Sequence, residues 1–117
     1  AAIERFSGYD LAYQSLGYAY YKTDQLNLAQ EALRRALQIS PIRPAAHFYQ
    51  MLVNLARNRP DQAKVEAAEA VVLLDLLPQQ DRTALLERVI AELEAVARQT
   101  PDQAAAAEAL LALIPRP

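Results

Sequence analysis

The sequence has no cysteine, no tryptophan, two glycines and one histidine in 117 residues. Each shortage excludes something. Without cysteine there is no disulfide framework, no thiol nucleophile and no zinc-ribbon site, which is compatible with the cytoplasm or another reducing compartment. Two glycines are too few for a Gly-rich phosphate loop or for the many tight turns of a β-sandwich. The single histidine, His47, cannot form a His-pair metal site or a proton relay. The formal net charge of −2 offers no electrostatic attraction to nucleic acid or to an acidic membrane surface. No apolar run approaches the roughly 20 residues of a membrane helix; Ala70–Leu74 spans five. These absences disfavour most enzyme classes and leave no candidate cofactor or metal.

What remains is helix-forming material. Hydrophobic residues make up 53% and charged residues 22%, the balance of a globular chain and not of a disordered one. At 117 residues it is one domain. Prolines at 41, 44, 60, 78, 101, 115 and 117 punctuate runs rich in Ala, Leu, Gln, Glu and Arg. The residue before a proline is pushed out of the α region, so these are helix boundaries. The pattern predicts six helices, over about 10–22, 26–39, 44–57, 60–77, 81–99 and 101–114. Pro60 and Pro101 suit first helical turns, with Asp61 and Asp102 placed where the helix dipole favours an anion. Residues 1–6 read as the end of a preceding helix, broken at Ser7-Gly8. The chain begins at Ala1 and not Met, so the expectation is an expressed fragment or a processed chain, which leaves room for a membrane anchor ahead of it.

The tetrapeptide Pro60-Asp61-Gln62-Ala63 recurs as Pro101-Asp102-Gln103-Ala104. Each copy follows a long amphipathic helix and an arginine, Arg57 or Arg98. Upstream, Tyr13, Leu16, Gly17, Tyr20, Ala29, Leu33, Ala36 and Pro41 fall at spacings that closely resemble the tetratricopeptide repeat, a 34-residue helix–turn–helix unit. Tyr13 stands for the usual Trp and Leu33 for the usual Phe. A second unit matches more loosely through Phe48, Met51, Leu52 and Leu55, then Ala63, Ala67, Ala70 and Pro78, with a turn read as one residue shorter. A third is degenerate: Val89, Leu93 and Val96 hold the spacing, Glu92 replaces a leucine, and only Ala104 and Pro115 follow. The resemblance implies an all-α fold of three units, about 10–43, 44–78 and 79–115, stacked as a short right-handed solenoid. Gly17 and Ala29 would meet at a close helix crossing.

Most side chains with chemical potential have bland readings. His47 reads as a surface or helix-start histidine. Glu87, Glu92 and Glu94, interspersed with Arg88 and Arg98, read as a solvated helix face and not as a metal site. Arg34-Arg35 is a lone basic doublet beside Glu31, not a nucleic-acid stripe. The hydroxyls Ser7, Ser15, Thr23, Ser40, Thr83 and Thr100 read mostly as helix caps; none has a nucleophile context.

The aromatics are asymmetric: the six tyrosines and two phenylalanines all lie between Phe6 and Tyr49. In tetratricopeptide-like stacks the first helix of each unit lines a concave groove. That register places Gln14, Tyr18, Tyr21 and Lys22 on the groove, joined by Tyr49, Val53, Ala56 and Arg57. Exposed tyrosines are favoured contact residues. Chaperone-tail-binding members of the family use a Lys/Asn set, which Gln14, Tyr18, Tyr49 and Gln50 do not supply. The resemblance therefore implies a non-catalytic protein-interaction module that holds a peptide or partner helix in its groove. Two alternatives stand beside it. One is a self-associating scaffold piece, using the apolar stripe Leu86, Val89, Ile90, Leu93, Val96 and Ala97. The other is an assembly factor for a membrane complex.

Overall fold

The computed structural model describes residues 9–117. They form six α-helices with no strand among them: α1 (Tyr9–Lys22), α2 (Leu26–Ile39), α3 (Pro44–Ala56), α4 (Pro60–Leu73), α5 (Gln79–Gln99) and α6 (Ala104–Leu113). The helix proposed for residues 1–6 lies outside the described residues. Short 3₁₀ turns at Leu74–Leu76 and Pro101–Gln103 extend α4 and precede α6. Thus two of the predicted helices are partly 3₁₀ in the segments nearest Pro78 and Pro101.

Proline sets the starts: Pro44 and Pro60 each occupy the first helical turn. Leu77, before Pro78, is extended as that ring requires. The hydroxyls do not cap as expected. No side-chain cap bond is made at the N-termini of α2 to α6. Thr23 instead bonds back to the carbonyls of Ala19 and Tyr20, at the end of α1.

The α1–α2 and α3–α4 turns are copies of one another. Residues 23–25 and 57–59 each join two helices, with Asp24 and Asn58 at positive φ of 61° and 62°. The backbone bonds Thr23→Ala19, Asp24→Tyr21, Gln25→Tyr20 and Ala29→Gln25 recur 34 residues later as Arg57→Val53, Asn58→Leu55, Arg59→Asn54 and Ala63→Arg59. This corrects the sequence register of the second unit. The two turns are equal in length, so Gly17 corresponds to Met51 and not to Leu52. The third hairpin differs: α5 has 21 residues and no residue at positive φ separates it from α6. The second helices bury Ala29, Leu33 and Ala36, then Ala63, Ala67 and Ala70, then Ala107 and Leu110. The last step is 40 residues, whereas the Pro-Asp-Gln-Ala recurrence is 41. The tetrapeptide therefore opens an α-helix once and a 3₁₀ turn once.

Helices pair as α1 with α2, α3 with α4 and α5 with α6; α3 also packs on α1, α2 and α5, and α4 on α6. The central helix is α3, where Phe48, Met51, Leu52, Val53 and Leu55 are each at most 1% exposed. A radius of gyration of 13.7 Å is that of a compact globule, against roughly 13 Å expected at this length. The side chain nearest the missing Cβ of Gly17 is Leu33. A Cβ there would fall 2.4 Å from Leu33 Cγ, so the absent side chain is what admits Leu33 to the helix crossing.

Candidate functional site

The predicted groove residues meet where the first helices of the three pairs converge. Tyr18 of α1 packs on Tyr49 of α3, ring centroids 4.7 Å apart, and stacks on Tyr21 at 6.4 Å. Two α5 side chains complete the cluster. Arg88 lies over the Tyr18 ring at 5.4 Å and donates from Nη1 to the Tyr49 hydroxyl at 2.9 Å. Glu92 accepts from the Tyr18 hydroxyl at 2.5 Å and from Lys22 Nζ at 2.8 Å. The glutamate side chain is only 12% exposed. Neither Arg88 nor Glu92 stood among the expected groove residues. Their sequence signal was slight: Glu92 interrupts an apolar spacing, and which α5 face turns towards α1 is decided by packing.

The cluster changes the character of the face. Tyr49 is 3% exposed and Val53 is fully buried. The expectation that both stand open to a partner fails because α1 and α2 already lie on α3. Tyr18 and Tyr21 are half-buried and pack against the core. Arg57 does not join them. Its Nη1 donates to Asn27 Oδ1 of α2, placing it at the α2–α3 contact. Burial raises the Tyr18 and Tyr21 phenols, with the Glu92 carboxylate adding to both; Tyr21 is pushed up to about 12. Both tyrosines therefore remain protonated donors at neutral pH.

On either side of the Tyr18–Glu92 bridge the surface opens again. One cleft, of about 400 Å³, is walled by Leu11, Pro44, Leu77 and Leu85, with Gln14, Arg43, Asp81 and Arg88 as its polar lining. Gln14 Oε1 is buried there without a hydrogen-bond donor. The other cleft, about 270 Å³, is edged by Tyr21, Lys22, Asp24, Glu92 and Gln103. Of the expected residues, Gln14 and Tyr49 line the first cleft and Tyr21 and Lys22 the second, whereas Tyr18, Val53 and Arg57 line neither.

The other singled-out residues have structural partners. His47 is not a simple surface histidine. Nδ1 lies 2.9 Å from Glu66 Oε2 on α4, and Nε2 lies 2.8 Å from the Pro41 carbonyl oxygen. With an acceptor on each nitrogen the ring favours the doubly protonated form. The Glu66 bond raises its pKa against the opposing effect of burial, with Pro41 and Glu69 adding to the rise. Arg34 and Arg35 both bond Glu31. Asp10, 3% exposed, is paired with Arg43 at 2.6 Å, fastening α1 to the α2–α3 loop. Among the described residues, no cluster of His, Cys, Asp and Glu has metal-site geometry. None of the helices described is long and apolar enough to cross a membrane.

Comparison with known proteins returned nothing: no family model, no curated protein and no solved structure matches the chain.

Proposed function

We propose that the chain is a non-catalytic protein-interaction module of tetratricopeptide-like helical repeats, whose three units stack as a short right-handed solenoid. The reading rests on the eight-residue signature of the first unit and on the 34-residue repetition of turn hydrogen bonds. The observation that carries the binding role is the larger cleft between α1, α3 and α5. Its apolar walls fit one or two side chains of a peptide. The Gln14 side chain and the Arg88 guanidinium supply the polar contacts of its lining. Such a pocket with a few convergent polar groups is the usual form of a recognition site.

Panning an immobilised sample of the chain against a displayed random peptide library tests this. Expected are enriched peptides whose binding falls at least tenfold on Gln14→Leu or Arg88→Ala and is unchanged by Arg34→Ala on α2. Enrichment indifferent to the cleft variants, or no enrichment, refutes the reading. Of the α5 stripe, Leu86, Val89, Ile90 and Leu93 are at most 6% exposed and Val96 and Ala97 are partly buried against the same core, which makes self-association through α5 the weaker reading.

A further inference from the structure

His47, the lone histidine of the chain, holds two acceptors at once. Its Nδ1 faces Glu66 Oε2 on α4 at 2.9 Å, and its Nε2 faces the Pro41 carbonyl oxygen at 2.8 Å. A neutral imidazole has one N–H and one lone pair, so it donates to only one of them. The imidazolium donates to both. Histidine makes that change near neutral pH. The Glu66 bond raises the pKa of the ring against the effect of burial, with Pro41 and Glu69 adding to the rise, so the change falls above the ordinary value of about 6.5. The charged groups bearing on the ring are thus Glu66 and Glu69 of α4. Apart from His47 itself, α3 has no ionisable side chain but tyrosine, and Arg43 of the preceding loop is taken by Asp10 of α1.

The two bonds are unequal, which decides the one that goes. A hydrogen bond to a carboxylate is roughly twice as strong as one between neutral groups. The Glu66 bond is also partly buried, whereas the Pro41 bond is exposed to water that can replace it. The last proton therefore stays on Nδ1, and the Nε2 lone pair is left facing the Pro41 oxygen. Glu66 sits in the body of a helix, but Pro41 belongs to the loop 40–43 between α2 and α3. That loop is anchored at its ends. The Ser40 N–H closes α2 on the Ala36 carbonyl, and Arg43 pairs with Asp10. Between those anchors Pro41 and Ile42 are both exposed, and the ring is what ties Pro41 to α3.

We propose that the α2–α3 loop is a pH-operated clasp: the His47 imidazolium holds the Pro41 carbonyl against α3, and the neutral ring, keeping its proton for Glu66, releases it to water. The clasp is shut on the acid side of the transition and open on the alkaline side. Its state bears on more than the loop. Arg43, two residues beyond Pro41, fastens α1 through Asp10 and lines the larger cleft. Release of the loop loosens the segment that carries this arginine. The clasp operates whether or not the cleft holds a peptide.

Two readouts over one pH titration test this. The ring ¹⁵N shifts of His47, a single set of signals in this chain, report protonation and tautomer. A nitroxide on Ile42→Cys reports loop motion; the site is 57% exposed and there is no native cysteine. From acid to mildly alkaline pH the ring is expected to end as the Nδ1–H tautomer. Over the same interval the nitroxide should gain mobility by about twofold, as for a loop freed to move on the nanosecond scale. In Glu66→Gln the amide can donate to Nδ1, so the neutral ring is expected to end as the Nε2–H tautomer, still bonded to Pro41, with label mobility independent of pH. In His47→Gln, which does not titrate, the label response is expected to vanish. An Nε2–H tautomer in the otherwise native chain, a label indifferent to the titration of the ring, or a label response that survives in either variant overturns the proposal.

Discussion

Single side chains hold the helix pairs together, and two of them make sharp predictions. At Gly17 the helix pays no packing penalty only because Leu33 occupies the missing side chain's place. Gly17→Ala gains about 1 kcal/mol of helix propensity but forces a methyl against a fully buried leucine, a clash of about 1–3 kcal/mol. The expected outcome in urea denaturation is net destabilisation of up to about 2 kcal/mol. Combined with Leu33→Ala, the cost should be well below the sum of the two single changes, since each removes the other's conflict. His47 predicts a pH dependence. Its pKa is raised in the folded state, chiefly by Glu66, above an unfolded value of about 6.5. Its stabilisation is therefore complete below about 6.5 and is lost as pH rises through the folded pKa. The stability difference between wild type and His47→Gln, followed by denaturation from acid to mildly alkaline pH, should shrink over that window. A difference that grew instead would mean the neutral ring is the better partner.

Within and between helices, the decisive features are the turns and the α1–α5 bridge. Asp24 and Asn58 adopt the left-handed conformation, which an ordinary side chain adopts at a cost of roughly 1–2 kcal/mol and glycine does not. Asp24→Gly and Asn58→Gly should each raise stability by about 0.5–1 kcal/mol, and the corresponding alanine variants lower it by about 1 kcal/mol. Thermal melts of the four variants check this. Equal responses at both sites are expected from the equal turn geometry. The bridge is different in kind. Glu92 ties α1 to α5 through Tyr18 and Lys22, which are far apart from it in sequence. Tyr18→Phe leaves the mostly buried Glu92 carboxylate with one donor fewer. It is expected to destabilise by about 1–3 kcal/mol and to raise amide exchange first in α1, the helix that the bridge fastens.

For the molecule as a whole, α3 unifies the fold, because it touches α1, α2, α4 and α5. Phe48→Ala should cost about 3–5 kcal/mol. The uneven aromatics make a useful test of cooperativity. Tyrosine fluorescence reports nothing beyond Tyr49, whereas far-UV circular dichroism reports all six helices. Coincident denaturation curves from the two probes are expected for a single cooperative unit. A dichroism transition persisting after the fluorescence change would show α5 and α6 standing as a separate unit.

Helix count and type over the described residues were written in the sequence: proline spacing, helix-forming composition and the scarcity of glycine confine residues 9–117 to six α-helices. Even α2 was legible to the residue, because Asp24 and Pro41 bracket it. Gly17, Ala29, Leu33 and Ala36 likewise marked the inner face of the first pair, since local crowding alone demands small residues there. Partners across the fold were not legible. That Tyr49 and Val53 would be buried depends on α1 and α2 lying over α3. That Glu92 would serve Tyr18 and Lys22 depends on the rotation of α5, which has a broad apolar stripe compatible with more than one rotation. Periodicity determines which residues share a helix face. Only tertiary packing, where many weak contacts are satisfied together, decides what each face meets and which faces remain for water or another chain.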